Sequence, residues 1–137
     1  MTAFRKILYV TDLSPASEPA LAYAADLARA FGGEVHAVHV LVLGADDPVE
    51  AERRLAELVP EEQADVVTER RLVKAHHADV GVVHEADAGH YDLVVLGTHG
   101  HSGLSHVLLG SVAERVVQHA RCPVLTVRPP DFSYAAL

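Results

Sequence analysis

Residues 96–114 place Gly97, Gly100, Gly103 and Gly110 among His99, His101, His106 and Ser111. Three chemistries use such a stretch: a nucleophile on a sharp turn, a histidine metal site, and a cradle for phosphate. Gly100-His101-Ser102-Gly103-Leu104 approaches the G-x-S-x-G elbow of serine hydrolases, but its fifth position is leucine and no helix obviously begins at the serine. The metal reading draws on His99, His101 and His106, with His76, His77 and His84 elsewhere among the ten histidines. No HExxH helix or Cys/His pairing orders them, and their context is a glycine-rich loop, so a dedicated metal site is not expected.

The phosphate reading accounts for more of the glycines. Gly97 ends an apolar run, Gly100 permits close backbone approach or positive φ, and Gly110 directly precedes a helical pattern. A phosphate at that helix start would be held by the amides around Gly110 to Ala113, by the Ser111 hydroxyl and by the positive end of the helix dipole. Ser111 could instead cap its own helix, because Ser111-x-x-Glu114 reads as a capping box. No GxxxxGK[ST] occurs, so a triphosphate would depend on a divalent cation, magnesium or manganese, bridging its oxygens. A second polar loop, Thr11-Asp12-Leu13-Ser14, follows the first apolar run. Asp12 could orient a water or accept hydrogen bonds from a ligand, but nothing in the sequence reads as an activated nucleophile or a positioned base, and no catalytic residue is assigned.

These loops must be carried by regular elements. Apolar runs at Ile7–Val10, Val35–Leu43, Val66–Val73, Leu93–Leu96 and Val124–Val127 read as strands covered on both faces. Helical patterns alternate with them. The first starts near Ser14 or Ser17, presents Ala20, Ala24, Leu27, Ala28 and Phe31 on one face, and stops at Gly32-Gly33. Asp47-Pro48-Val49-Glu50 reads as a cap, a first-turn proline and a capping-box acid for a second helix that Pro60 ends. A third is expected from near Asp79 to Gly89 with Val80 and Val83 inward, and a fourth from Ser111 to about His119.

Five strands alternating with four helices imply an α/β fold: an open, doubly wound, five-stranded parallel sheet, Rossmann-like, in a single domain over residues 1–137. Ligands of such sheets sit beyond the strands' carboxyl ends where the winding reverses, which singles out the loops after strands one and four. The net charge of −8, with no basic run, disfavours nucleic acid and anionic membrane as partners. Cys122 is the lone cysteine and fits a buried structural thiol, and a cytoplasmic location is the expectation.

Gly97-x2-Gly100-x9-Gly110-Ser111, after Leu93-Val94-Val95-Leu96 and before Val112, resembles the glycine pattern of the nucleotide-binding branch of the universal stress proteins. Lys6-Ile7-Leu8-Tyr9-Val10-Thr11-Asp12-Leu13-Ser14 is similar to that family's opening, Val38-His39-Val40 to its second strand end, and Cys122-Pro123-Val124-Leu125-Thr126-Val127 to its closing strand. The resemblance implies ATP or a related adenine nucleotide as ligand. Asp12 and the backbone at Val40 would address the adenosine end, Leu96 and Gly97 would line sugar or base, and Gly100, Gly110, Ser111 and Val112 would hold phosphates. It further implies a homodimer through Val124–Val127 and a stress-response or regulatory role with weak or absent hydrolysis. Two other readings stay open: a slow ATPase or phosphotransferase using the same cleft, and an interaction protein that binds through its histidine-rich rim without nucleotide.

Overall fold

The computed structural model describes residues 3–98 and 109–129. Five strands, β1 (Lys6–Val10), β2 (Glu34–Val42), β3 (Val67–Ala75), β4 (Leu93–Gly97) and β5 (Val124–Val127), form one sheet in the order β3-β2-β1-β4-β5. Every pairing is parallel. The chain therefore winds outward from β1 through β2 to β3, then returns to β1's other side for β4 and β5. The reversal lies between β1 and β4.

Helices α1 (Glu18–Phe31) and α2 (Pro48–Leu58) cover one face, and α3 (Ala78–Ala88) and α4 (Ser111–His119) the other. Strand alternation divides the core between them. Ile7 and Tyr9 pack with Ala20, Ala24 and Leu55, whereas Leu8 and Val10 pack with Val82 and Val116. Burial of both faces explains why the sheet's central strands read as continuous apolar runs.

Local chemistry sets the helix ends. A single 3-10 turn, Pro15–Ser17, precedes α1, which stops where Gly32 adopts a left-handed φ of 66°. Asp47 Oδ1 accepts from the Val49 amide at 3.0 Å and caps α2, with Pro48 as its first residue. Glu50 does not reach back to complete the capping box, because its carboxylate is taken by Arg53 one turn on.

Two expectations are corrected. In α3 the inward residues are Gly81, Val82 and Ala86, while Val80 is 58% exposed and Val83 only half-buried. Gly81 sets this rotation: a side chain there would collide with Val40 and Ala75, so the bare backbone is what lets α3 lie close on β2 and β3. In α4 the cap is Gly110, and Ser111 is the first helical residue. Gly110 has extended ψ (φ −67°, ψ 163°) and its carbonyl accepts the Glu114 amide at 2.9 Å, so the helix has already begun when Ser111 is reached.

Candidate functional site

Beyond Val10 the chain leaves β1 through a tightly hydrogen-bonded turn. Thr11 N–H donates to the Val38 carbonyl at 3.0 Å, the last bond between β1 and its neighbour β2. Leu13 then takes a left-handed φ of 66°, an unusual conformation for leucine. Side chains impose it. Thr11 Oγ1 accepts from Leu13 N–H at 2.9 Å, and Asp12 Oδ1 accepts from Ser14 N–H at 2.9 Å and from the Ser14 hydroxyl. Ser17 Oγ donates to the Ser14 carbonyl at 2.8 Å, so in its 2.8 Å contact with Thr11 Oγ1 the threonine is the donor. The Arg54 guanidinium of α2 donates to the Leu13 carbonyl. Beneath the turn, Tyr9 Oη donates to the Ser17 carbonyl at 2.8 Å, and burial pushes the phenol's pKa up, partly opposed by hydrogen bonding to Thr11 and Ser17.

Across the switch point, Thr98 N–H donates to the Val127 carbonyl at 3.0 Å and its own carbonyl accepts from Gly110 N–H at 2.6 Å. The two ends of the glycine-rich stretch are thus tied together at the C-terminal end of β4. The first-turn amides of Ser111, Val112 and Ala113 have no earlier helical carbonyl to bond, and the α4 dipole adds positive potential there.

The third wall is the edge of β2. Glu34 N–H bonds Arg5 O on the β1 side, whereas Val35 N–H and Leu43 N–H bond Val66 O and Ala75 O on the β3 side. By this alternation the N–H and C=O of Val40 point toward β1, past the place where β1 has ended. Among the described residues no backbone group takes either one. Farther along, Val42 N–H is capped by Asp46 Oδ2 at 2.9 Å. Val40 therefore offers one donor and one acceptor, side by side, to the space between β1 and β2.

These walls enclose a cleft of about 350 Å³, within the range of small-molecule sites. Asp12, Val40, Leu96, Gly97, Gly110, Ser111 and Val112 all line it. Gly100, His99, His101 and His106 lie outside the described residues. The lining also includes Thr11, Ser17, His39, Asp46 and Val82, which the sequence reading did not assign to the site. His39 carried a signal, as a polar residue inside an apolar strand; Asp46 carried little, standing beside the more obvious cap Asp47. The charged lining residues are the acids Asp12 and Asp46; no Lys or Arg among the described residues borders the cleft. An anion there must rely on helix amides, the dipole or a bound cation. Cys122 is distant from this chemistry, and burial raises its thiol pKa, away from the reactive thiolate.

The model of the Universal stress protein family matches residues 3–128. Universal stress protein MJ0531 of Methanocaldococcus jannaschii is 35% identical over 142 residues, covering 93% of this chain and 84% of that protein. The chain belongs to the universal stress protein family. Among solved structures, the protein MJ0577 of the same organism superposes with a TM-score of 0.82 at 27% identity, covering 93% of this chain and 98% of its own. A universal stress protein solved in complex with cAMP gives a TM-score of 0.72 at 28% identity, covering 93% and 98%. The universal stress protein of Archaeoglobus fulgidus in complex with dAMP gives 0.69 at 25%, covering 92% and 98%. The five-stranded parallel sheet and four helices of this chain are that family's Rossmann-like fold, and its members include adenine-nucleotide binders. No helix among the described residues is long and apolar enough to cross a membrane.

Proposed function

We propose that this universal stress protein binds an adenine nucleotide, ATP included, in the cleft between the loops after β1 and β4, and acts as a nucleotide-responsive regulator. The observation that carries the reading is the convergence, on one side of the switch point, of the open Val40 peptide edge and, on the other, of the α4 amides and Ser111. The cleft fits the ligand chemically. Adenine presents an acceptor at N1 beside a donor at N6, which matches the N–H and C=O of Val40, and phosphate matches a helix N-terminus. Asp12 and Val40 would address the adenosine end, Leu96 and Gly97 the sugar or base, and Gly100, Gly110, Ser111 and Val112 the phosphate side. The complexes of related proteins with cAMP and dAMP support the class of ligand.

Magnesium or manganese fits the role of bridging cation, because the described lining has no basic side chain to neutralise a triphosphate. The outer edge of β5 is proposed to pair two chains as a homodimer, which would hide an exposed strand edge. Calorimetric titration with ATP, with and without magnesium or manganese, tests the reading. Saturable, metal-enhanced binding near one nucleotide per chain is expected; no heat and no thermal stabilisation with ATP or AMP overturns it.

A further inference from the structure

The ladder between β1 and β2 stops earlier than its backbone requires. After the bond from Thr11 N–H to Val38 O, the next rung of a parallel ladder would run from Val40 N–H to the Thr11 carbonyl. The Thr11 carbonyl is instead engaged by the ring of His39, whose Nδ1 lies 2.8 Å away. A carbonyl only accepts, so Nδ1 carries the proton, and the ring's other nitrogen faces Asp46 Oδ2 at 3.8 Å. The ring is fixed in place: His39 is 8% exposed and lies on the α1 side of the sheet, beside Ser17 and Asp46 at the wall of the cleft. The rung after Val40 is closed in the same manner, by Asp46 on Val42 N–H, and Leu13 N–H, which would have met the Val40 carbonyl, is held by Thr11 Oγ1. Two side chains, His39 and Thr11, thus take the partners that would otherwise have sealed Val40, and Asp46 closes the rung beyond it.

We propose that His39 is a positioning residue for the purine base: by drawing the Thr11 carbonyl to its ring on the α1 side of the sheet, it holds that oxygen off the Val40 N–H and keeps the Val40 peptide open as the edge that reads adenine N1 and N6. The proposal rests on the nucleotide reading above and adds the cause of the open edge. His39 need not touch the nucleotide to act. Without its ring N–H, Thr11 O is released to Val40 N–H, the ladder extends by one rung, and the base loses its donor. Asparagine, whose side-chain amide N–H stands close to where the ring Nδ1–H does, preserves the contact, whereas leucine fills similar volume without a donor.

The test combines amide exchange with ligand titration in the full chain. In the unaltered protein the Val40 amide should exchange readily without ligand, and should shift and become protected on adding AMP. His39→Leu should protect the Val40 amide without ligand and weaken AMP binding by roughly tenfold or more, the equivalent of one lost hydrogen bond. Binding of pyrophosphate, which has no base, should be unchanged, and His39→Asn should recover most of the AMP affinity. A His39→Leu protein that binds AMP as the unaltered chain does overturns this proposal alone. Equal weakening of AMP and pyrophosphate also overturns it, because it marks a general loosening of the cleft. A Val40 amide that AMP leaves unmoved in the unaltered protein does the same without any variant. Failure of the unaltered chain to bind AMP at all overturns the nucleotide reading first, and this inference with it.

Discussion

Gly110 N–H donates to the Thr98 carbonyl at 2.6 Å, joining the start of α4 to the end of β4. The amide of this glycine is therefore engaged within the protein, and the donors left at the helix start for the proposed phosphate are those of Ser111, Val112 and Ala113. What Gly110 contributes is the lack of a side chain at the helix entrance. Gly110→Asp separates stability from binding. Aspartate is a favourable N-cap, so the helix should be as stable as before or a few tenths of a kcal/mol more so. Its carboxylate, however, would occupy the helix amides and repel an incoming phosphate. Thermal unfolding should show an unchanged or slightly raised midpoint, while titration shows AMP and ATP affinity reduced by more than about tenfold. Undiminished binding would move the phosphates away from α4.

Arg54 of α2 reaches the strand-one turn and donates to the Leu13 carbonyl. Leu13 holds its left-handed φ while burying its side chain in the core at 7% exposure, so the turn is under opposing demands. Arg54→Ala should lower stability by about 1 kcal/mol, the lower range for a charge-assisted hydrogen bond that is only partly buried. Its larger effect should be local. Amide exchange at Leu13 and Ser14 should accelerate, and adenine-nucleotide affinity should fall through faster dissociation. Unchanged exchange in that turn would show that Thr11, Asp12 and Ser17 suffice to hold it.

The architecture was legible because its signals are dense. Five valine-, leucine- and isoleucine-rich runs, a proline and aspartate at the start of α2, and Gly32-Gly33 at the end of α1 each speak through local backbone preference. The walls of the cleft were legible in part. Asp12 and the Gly110-Ser111 pair stand at strand and helix ends, where topology alone sends ligands. The inward face of α3 was not, because Gly81 has no side chain for a periodicity argument to weigh, yet its bare Cα decides the helix rotation by clearing Val40 and Ala75. Asp46 was hidden for a different reason. Its role is to close a backbone group of Val42 across a turn, and such a bond leaves no pattern in hydropathy or spacing.

Tyr9 and Tyr91 give the fold an alkaline limit. Burial raises both phenol pKa values above the ordinary 10.0, against the opposing hydrogen bonds of Thr11 and Ser17 at Tyr9 and the charge of Arg71 at Tyr91. A raised folded pKa means that the native state favours the neutral phenol. Its contribution to stability is then complete below the unfolded pKa of 10.0 and declines as pH rises through the higher folded value. Denaturant titrations should give stability that is flat in this respect up to pH near 10 and falling steadily above it, with the ionisation of these two buried phenols accompanying unfolding. Tyr9→Phe leaves the Ser17 carbonyl without its donor, which should cost about 1–3 kcal/mol at neutral pH. The same variant should show a shallower alkaline decline, since one of the two phenols no longer titrates. An equally steep decline would assign the alkaline limit to Tyr91, whose hydroxyl Arg71 and His36 both contact.

The proposed dimer makes a backbone-specific prediction at β5. Val94 N–H bonds Pro123 O and Thr98 N–H bonds Val127 O, each at 3.0 Å, so residues 123, 125 and 127 direct their peptide groups toward β4. Val124 and Thr126 must then direct theirs to the outer edge. Thr126→Pro removes an outward N–H and leaves the β4–β5 ladder intact, the position at which a strand edge tolerates proline. The unaltered chain should sediment as a dimer, and Thr126→Pro as a monomer with the same circular dichroism. Thr126→Val, which keeps the N–H, should remain dimeric. A dimer that survives the proline would place the interface on another surface, and a monomeric unaltered chain would remove β5 pairing from the account. Because β4 ends in Gly97 with Thr98 following it at the cleft, and Thr98 binds both Val127 and Gly110, pairing at β5 is one rung from the proposed phosphate side of the site. If the two are coupled, ATP should tighten the dimer by the same factor by which dimerisation tightens ATP, as linkage requires. Titrating ATP above and below the dissociation concentration of the dimer measures that factor, and equal affinities would mean that assembly and nucleotide binding are independent.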